Sequence, residues 1–287
     1  MKGQNTMNKW MTAALLLAAA GMLQAKQLKK PDENTLWLED GKEIKLGNRN
    51  GWGHWLKSDK LEIKSREDGK GFSFFAAGMG GKTVTVVDLT PEYPYFTFRI
   101  TGIELLNGYR NWTVFMQNGF STNQVTAPEK GIYVYDLYQN LPEKERARKI
   151  TNLFVHLYHL RLDFEYMKLV KKPDYVVRAE CADPEIKPGS KVKFMAELAK
   201  EAEDVSITLM TNGHPRPVNV NGKTKIQLKP TDKTQKIWTA EVEIKSIGLG
   251  KAARRHGLFM KMDVLGGDLD EPVWVGLPYK VLPKISQ

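Results

Sequence analysis

The chain has 287 residues, 43 Lys and Arg against 33 Asp and Glu, a formal net charge of +10 and one cysteine. A single cysteine excludes a disulfide-stapled fold, so any core must hold by packing alone. The basic excess divides evenly between residues 26–177 and 178–287. That argues against a nucleic-acid reader, whose charge gathers on one face or in one domain. It suits weak attraction to an anionic glycan or an envelope surface, and equally a plain solvated exterior.

Lys2 and Lys9 precede an apolar run from Met11 to Leu23, and Ala25 is a small residue suited to end the segment. The run is about 13 residues, short of the roughly 20 that span a bilayer, so residues 1–25 read as a signal peptide. No cysteine follows it to take a lipid. The expected location is secreted or periplasmic, in or beyond a bacterial cell envelope. Residues 26–35 read as a polar leader.

From residue 36 the hydrophobic pattern has period 2, the mark of strands with one buried face. Leu36–Leu38 opens the series, and a Glu39–Lys42 turn leads into Glu43–Leu46. Gly47–Gly53 is a glycine- and asparagine-rich loop carrying Trp52, with His54 and Trp55 just beyond. Leu61–Ile63, Phe72–Ala77 and Thr83–Leu89 follow, the last two separated by Gly78–Gly81. Phe96, Phe98 and Ile100 alternate with Tyr95, Thr97 and Arg99. Trp112, Val114 and Met116 alternate next, then Ile132 and Val134 against Tyr133 and Tyr135. Residues 139–149 are the one helical candidate here, a turn or two of exposed helix started by Pro142. Leu153, Val155 and Leu157 precede a final strand with Leu160, Leu162, Phe164 and Tyr166 on one face and Arg161, Asp163 and Glu165 on the other. Lys171–Asp174 stops it.

A second β region starts near Tyr175. Its strands are Val192–Leu198, Val205–Leu209, Trp238–Ile244, Leu258–Val264 and Val273–Val281, with Asn221-Gly222 as a strong hairpin signal. Asn212–Pro217 is a turn whose prolines favour a sheet edge. Cys181, near the junction, is expected to be half-buried. Roughly nine or ten short strands and then about seven, with no long amphipathic helix, mean sandwiches or barrels. The expectation is an all-β chain, a jelly-roll β-sandwich over residues 36–173 followed by an immunoglobulin-like β-sandwich over 174–287.

Three ordered segments carry the first assignment: VDLTPEYPYFTFRI, GIYVYDL and LRLDFEYMKLV. With Asp88, Pro94, Tyr95, Gly131, Tyr133, Asp163 and Leu169 at comparable places, residues 36–172 resemble jelly-roll carbohydrate-binding modules of the galactose-binding-like fold. The resemblance implies a sugar-binding sandwich preceding an immunoglobulin-like module. It is an argument from fold, and such folds host many functions.

A sugar site needs flat aromatic faces and short polar side chains. Trp52 and Trp55, among Asn48, Arg49, Asn50 and His54, supply both. Tyr109, Arg110 and Asn111, in the loop Asn107–Asn111, are the second group. The expected ligand-binding set is therefore Trp52, Trp55, Tyr109, Arg110 and Asn111, with a polysaccharide, anionic on the charge argument, as partner. Tyr133, Tyr135 and Gln117 fall on faces opposite the core parity and read as cover for the outer sheet. Asp163 and Glu165 could join a structural calcium, but calcium takes six or more oxygens and no second acidic cluster is spaced to help. His156 and His159 have the wrong parity for a metal pair on a strand. No cofactor, nucleic acid or transmembrane partner is indicated. There is no G-x-S-x-G, H-E-x-x-H, C-x-x-C or P-loop, so a non-catalytic binder is expected. Two alternatives stand beside it: an envelope structural or protein-interaction module, and a glycan-cleaving enzyme whose carboxylates pair only in space.

Overall fold

The computed structural model describes residues 30–44, 52–54, 61–85, 91–105, 111–116, 120–126, 129–136, 152–181, 186, 188–211, 216–248, 258–266, 269 and 271–276. Across these residues the chain is all-β. The first half gives β1 (Thr35–Glu39), β2 (Trp52–His54), β3 (Leu61–Ser65), β4 (Phe72–Thr85), β5 (Tyr95–Leu105), β6 (Asn111–Met116), β7 (Phe120–Thr126), β8 (Gly131–Asp136) and β9 (Asn152–Val170). The second gives β10 (Val176–Cys181), β11 (Lys191–Leu198), β12 (Asp204–Thr211), β13 (Lys225–Gln227), β14 (Lys229–Pro230), β15 (Ile237–Glu243), β16 (Leu258–Leu265) and β17 (Val273–Gly276). The expected helix at 139–149 lies outside the described residues.

One 13-stranded sheet runs β13-β12-β16-β17-β8-β5-β9-β4-β2, with β1, β3, β6 and β7 attached beside it, and a four-stranded sheet runs β10-β11-β15-β14. Its axis is β9. Along one edge of β9 lie β1 and then β4; along the other lie β5 and then β6. The sequence pattern divides β9 and β4 into shorter strands, yet each is continuous in the fold. Glycine-rich β4 keeps its pairing through a bulge instead of stopping at Gly78–Gly81.

Alternation explains most of β9. Leu160, Leu162 and Phe164 are buried on one face. Tyr166 does not follow them, because Arg99 pairs with Tyr166 while the adjacent Ile100 pairs with Phe164. The extra residue, Glu165, is a β-bulge that flips the parity, so Met167 and Leu169 take over the buried face.

The two halves are joined by sheet, not by a linker alone. β17 lies parallel to β8, Val273 opposite Ile132 and Trp274 opposite Tyr133. Alternate residues of these strands serve different cores. Tyr133, Tyr135 and Trp274 pack with Phe96, Phe98, Phe164 and Trp37 in the first. Ile132, Val134, Val273 and Val275 pack in the second with Val192, Phe194 and Trp238 of the four-stranded sheet. The second core is thus a β-sandwich whose far layer is also the floor of the first. Tyr133 and Tyr135, expected on an outer face, are buried for this reason. Cys181 is likewise buried in the second core and not half-buried.

The joint is close. Gly131 has φ +139, and a Cβ there would lie 2.5 Å from the Pro272 carbonyl oxygen, which accepts the Ile132 amide at 3.1 Å. Beyond it, Asn221 and Gly222 have φ +54 and +82, the left-handed pair of a type I′ turn that the Asn-Gly signal specifies. The end of the leader is tied down. Lys171 N donates to the Asn34 carbonyl at 2.8 Å, and the Asn34 side-chain amide bridges both ways to the Lys172 backbone.

Candidate functional site

A crease crosses the large sheet at His159. That residue has φ +52, a conformation a non-glycine residue adopts where the chain must turn. On one side, β4 pairs Ala76 with Leu160 and Met79 with Tyr158, two residues bulging opposite one. On the other, β5 ends with Leu105 opposite Leu160, and β6 begins with Asn111 opposite Tyr158. Outside β4 the break repeats: β3 begins with Leu61 opposite Ala76, and β2 ends with His54 opposite Gly80. Every strand flanking β9 here is interrupted or bulged on one line. Glycine at 78, 80 and 81 makes the bend cheap, since it weakens a strand and accepts bulge geometry.

The described strands end around the crease at His54, Leu61, Leu105 and Asn111. Trp55, Tyr109 and Arg110 themselves lie outside the described residues. Trp52 and Asn111 are described, and both are strand residues where loops are expected. Trp52 opens β2 opposite Lys82, which pairs with Val155. Asn111 opens β6 opposite Tyr158. The two segment mouths stand on either side of the β4–β9 pair, three strand spacings or about 14 Å apart.

The outward face of β3, β4, β9 and β5 continues from the crease. Glu62, Phe75, Arg161 and Glu104 form one cross-strand row, and Lys64, Ser73, Asp163 and Gly102 the next. Arg161 lies over the Phe75 ring at 5.1 Å and forms an ion pair with Glu104 at 3.1 Å. Ser73 Oγ donates to Asp163 Oδ1. Arg66 is forked onto Asp68 and also donates to Thr101 Oγ1 at 2.6 Å. The sequence shows Asp163 and Arg161 as an ordinary polar strand face. Their fixed arrangement depends on which strands lie beside β9, which spacing within β9 does not reveal.

One further charge cluster spans the halves. Arg99 meets Glu165 at 2.9 Å and Glu271 at 2.8 and 3.1 Å. The fork onto Glu271 holds its guanidinium well above the ordinary arginine range, against the opposing effect of burial, with Glu165 adding to it. The cluster is a clasp between the β9 bulge and the approach to β17. Asp163 and Glu165 belong to different arrangements, and among the described residues no three His, Cys, Asp or Glu side chains gather as a metal site. Also among the described residues, no helix is long and apolar enough to cross a membrane.

Described aromatics on the inner face are packing residues. Phe98 stacks on Tyr133 at 4.8 Å, Tyr133 on Trp274 at 5.6 Å, and Lys261 stands 5.0 Å over Trp274. Burial pushes the Tyr133 and Tyr135 phenols far up, and the Tyr133 hydroxyl donates to the Glu129 carbonyl at 2.8 Å. None of these rings is available to a ligand.

No family model matches the chain, and no curated protein matches it. Solved structures similar to it include the glycoside hydrolase domain of Endo-D from Streptococcus pneumoniae R6, at TM-score 0.29 and 10% identity over 79% of this chain and 37% of that one. A DUF4785 family protein from Legionella pneumophila aligns at TM-score 0.26 and 10% identity, over 81% and 68%. A β-glucuronidase from Lactobacillus rhamnosus gives TM-score 0.21 and 9% identity, over 70% and 35%. The chain therefore spans little more than a third of the first of these structures, and none of the likenesses is close enough to carry an argument.

Proposed function

We propose that this chain is an exported, non-catalytic glycan-binding protein whose ligand is held at the crease by Trp52, Trp55, Tyr109, Arg110 and Asn111. The observation that supports the reading is convergence. The described strand ends on either side of the two aromatic- and amide-bearing segments, His54 with Leu61 and Leu105 with Asn111, fall on the line through His159. Stacking of indole and phenol faces on sugar rings would supply affinity, and the amide and guanidinium would fix orientation.

The test is a glycan array with the full chain and two variants, Trp52→Ala with Trp55→Ala, and Tyr109→Ala. Ring stacking of this kind carries about 0.5–1.5 kcal/mol per ring, so Tyr109→Ala should lose roughly two- to tenfold in affinity and the double tryptophan variant roughly five- to a hundredfold, with unchanged circular dichroism spectra. A wild-type chain that retains no glycan and co-purifies with a protein would overturn the reading in favour of a protein-interaction module. Release of product from a polysaccharide would overturn it in favour of an enzyme.

A further inference from the structure

We infer that the outward face of β3, β4, β9 and β5, centred on Phe75, Arg161 and Asp163, is a binding face for a neutral glycan. This rests on the glycan-binding reading and gives it a location beside the crease and a ligand chemistry. A solvated sheet face needs nothing more than mobile charged side chains. Here the polar groups are held in place. The guanidinium of Arg161 lies over the Phe75 ring and is ion-paired with Glu104. The carboxylate of Asp163 is turned by Ser73 so that Oδ2 lies over Gly102. It can do so because residue 102 has no side chain: a Cβ there would overlap Oδ2. The face stays open, with Arg161 36%, Glu104 61%, Glu62 42% and Lys64 69% exposed at the side chain.

Charge selects the ligand. Lys64 is paired with Glu62, Arg66 with Asp68 and Arg161 with Glu104. Each cation is already neutralised by an acid on the same face, so an anionic sugar would have to displace one to gain a contact. Asp163 is different: among the described residues no cation pairs with it, and Oδ2 remains an acceptor. A carboxylate acceptor beside a fixed planar donor, with an aromatic edge under it, matches vicinal hydroxyls on a neutral sugar ring. The anionic partner that overall charge suggests is not what this face would choose. Two rows of four residues cover about 14 Å across the strands, room for an extended chain laid over the sheet.

The experiment is affinity electrophoresis of the full chain through neutral xylan, mannan and mixed-linkage glucan, and through polygalacturonate and alginate. Asp163→Asn and Arg161→Lys are run beside wild type, with Lys191→Ala, an exposed residue of β11 in the other sheet, as a control away from this face. The inference expects retardation by at least one neutral polymer, at least tenfold weaker in Asp163→Asn and Arg161→Lys and unchanged in Lys191→Ala, at equal melting temperatures. On the wild-type chain, the bound polymer should also protect Arg161 from modification by a dicarbonyl reagent, read by mass spectrometry. If Arg161 is not protected, or if Asp163→Asn binds as wild type while the Trp52 and Trp55 double variant does not, the inference falls and the crease reading stands. Retardation by the anionic polymers alone also overturns it. If the wild-type chain is retarded by none of the polymers and binds no glycan on an array, both fall together.

Discussion

Trp274→Ala tests the claim that two cores share one sheet. Trp274 is 3% exposed, stacks on Tyr133 with an interplanar angle of 3° and carries the Lys261 ammonium over its other side. Truncating a buried tryptophan costs about 3–5 kcal/mol in transfer and cavity terms, and losing the ring pair adds on the order of 1 kcal/mol. At roughly 2–4 °C per kcal/mol for a chain of this size, melting should fall by about 8–24 °C. The residue belongs to the second half in sequence and to the first core in space. Hydrogen exchange should therefore quicken in β9 peptides of the first core and in β12 peptides of the second alike, within a single unfolding transition. Wild-type protection in β9, or two separated transitions, would refute the shared-sheet argument.

Gly131→Ala should destabilise by several kcal/mol and lower the melting temperature, because φ +139 is strained for alanine and the added carbon meets the Pro272 carbonyl at 2.5 Å. Arg99→Ala should cost about 1–2 kcal/mol by urea unfolding, discounted because its partners are 29–40% exposed, with a smaller loss in 1 M salt. The Asp232 carboxylate is held below its ordinary value of 3.8 by the Thr234 hydroxyl first, then by the Ile237 and Lys236 amides, with burial opposing. Its stabilising contribution should be present above that value and lost as pH falls through the lower folded value. Carboxylate titration by NMR checks the shift, and Asp232→Asn should flatten that part of the acid profile.

Much of the fold was legible because period 2 is a strong signal where one face is buried. Val192–Leu198 and Leu160–Phe164 alternate in the structure as they do in the sequence. Tyr166 broke the rule because one bulged residue reverses every position after it, and nothing in Asp163-Phe164-Glu165-Tyr166 marks the insertion. Tyr133 and Tyr135 were read to the wrong side for a different reason. Strands covered on both faces read as unbroken apolar runs, and Gly-Ile-Tyr-Val-Tyr is such a run, mistaken for alternation because tyrosine also suits an outer face. Composition marks the candidate loops and nothing more. The line on which the strands beside them end depends on pairings between residues distant in sequence, and the same pairings bring Asp163 over Gly102.

The parallel seam between β8 and β17 has a consequence for how the molecule is made. β8 is synthesised well before the neighbour that covers its outer edge, which lies far downstream in the sequence. Until Val273–Gly276 arrives, β8 presents Gly-Ile-Tyr-Val-Tyr on an unpaired edge, the kind of template that captures other chains. Such distant pairing also slows folding, because loop closure must precede the contacts that reward it. The nascent protein is thus expected to be most prone to aggregate in the interval between the synthesis of β8 and that of β17. A chain halted just short of Val273 should be the species that needs a chaperone most.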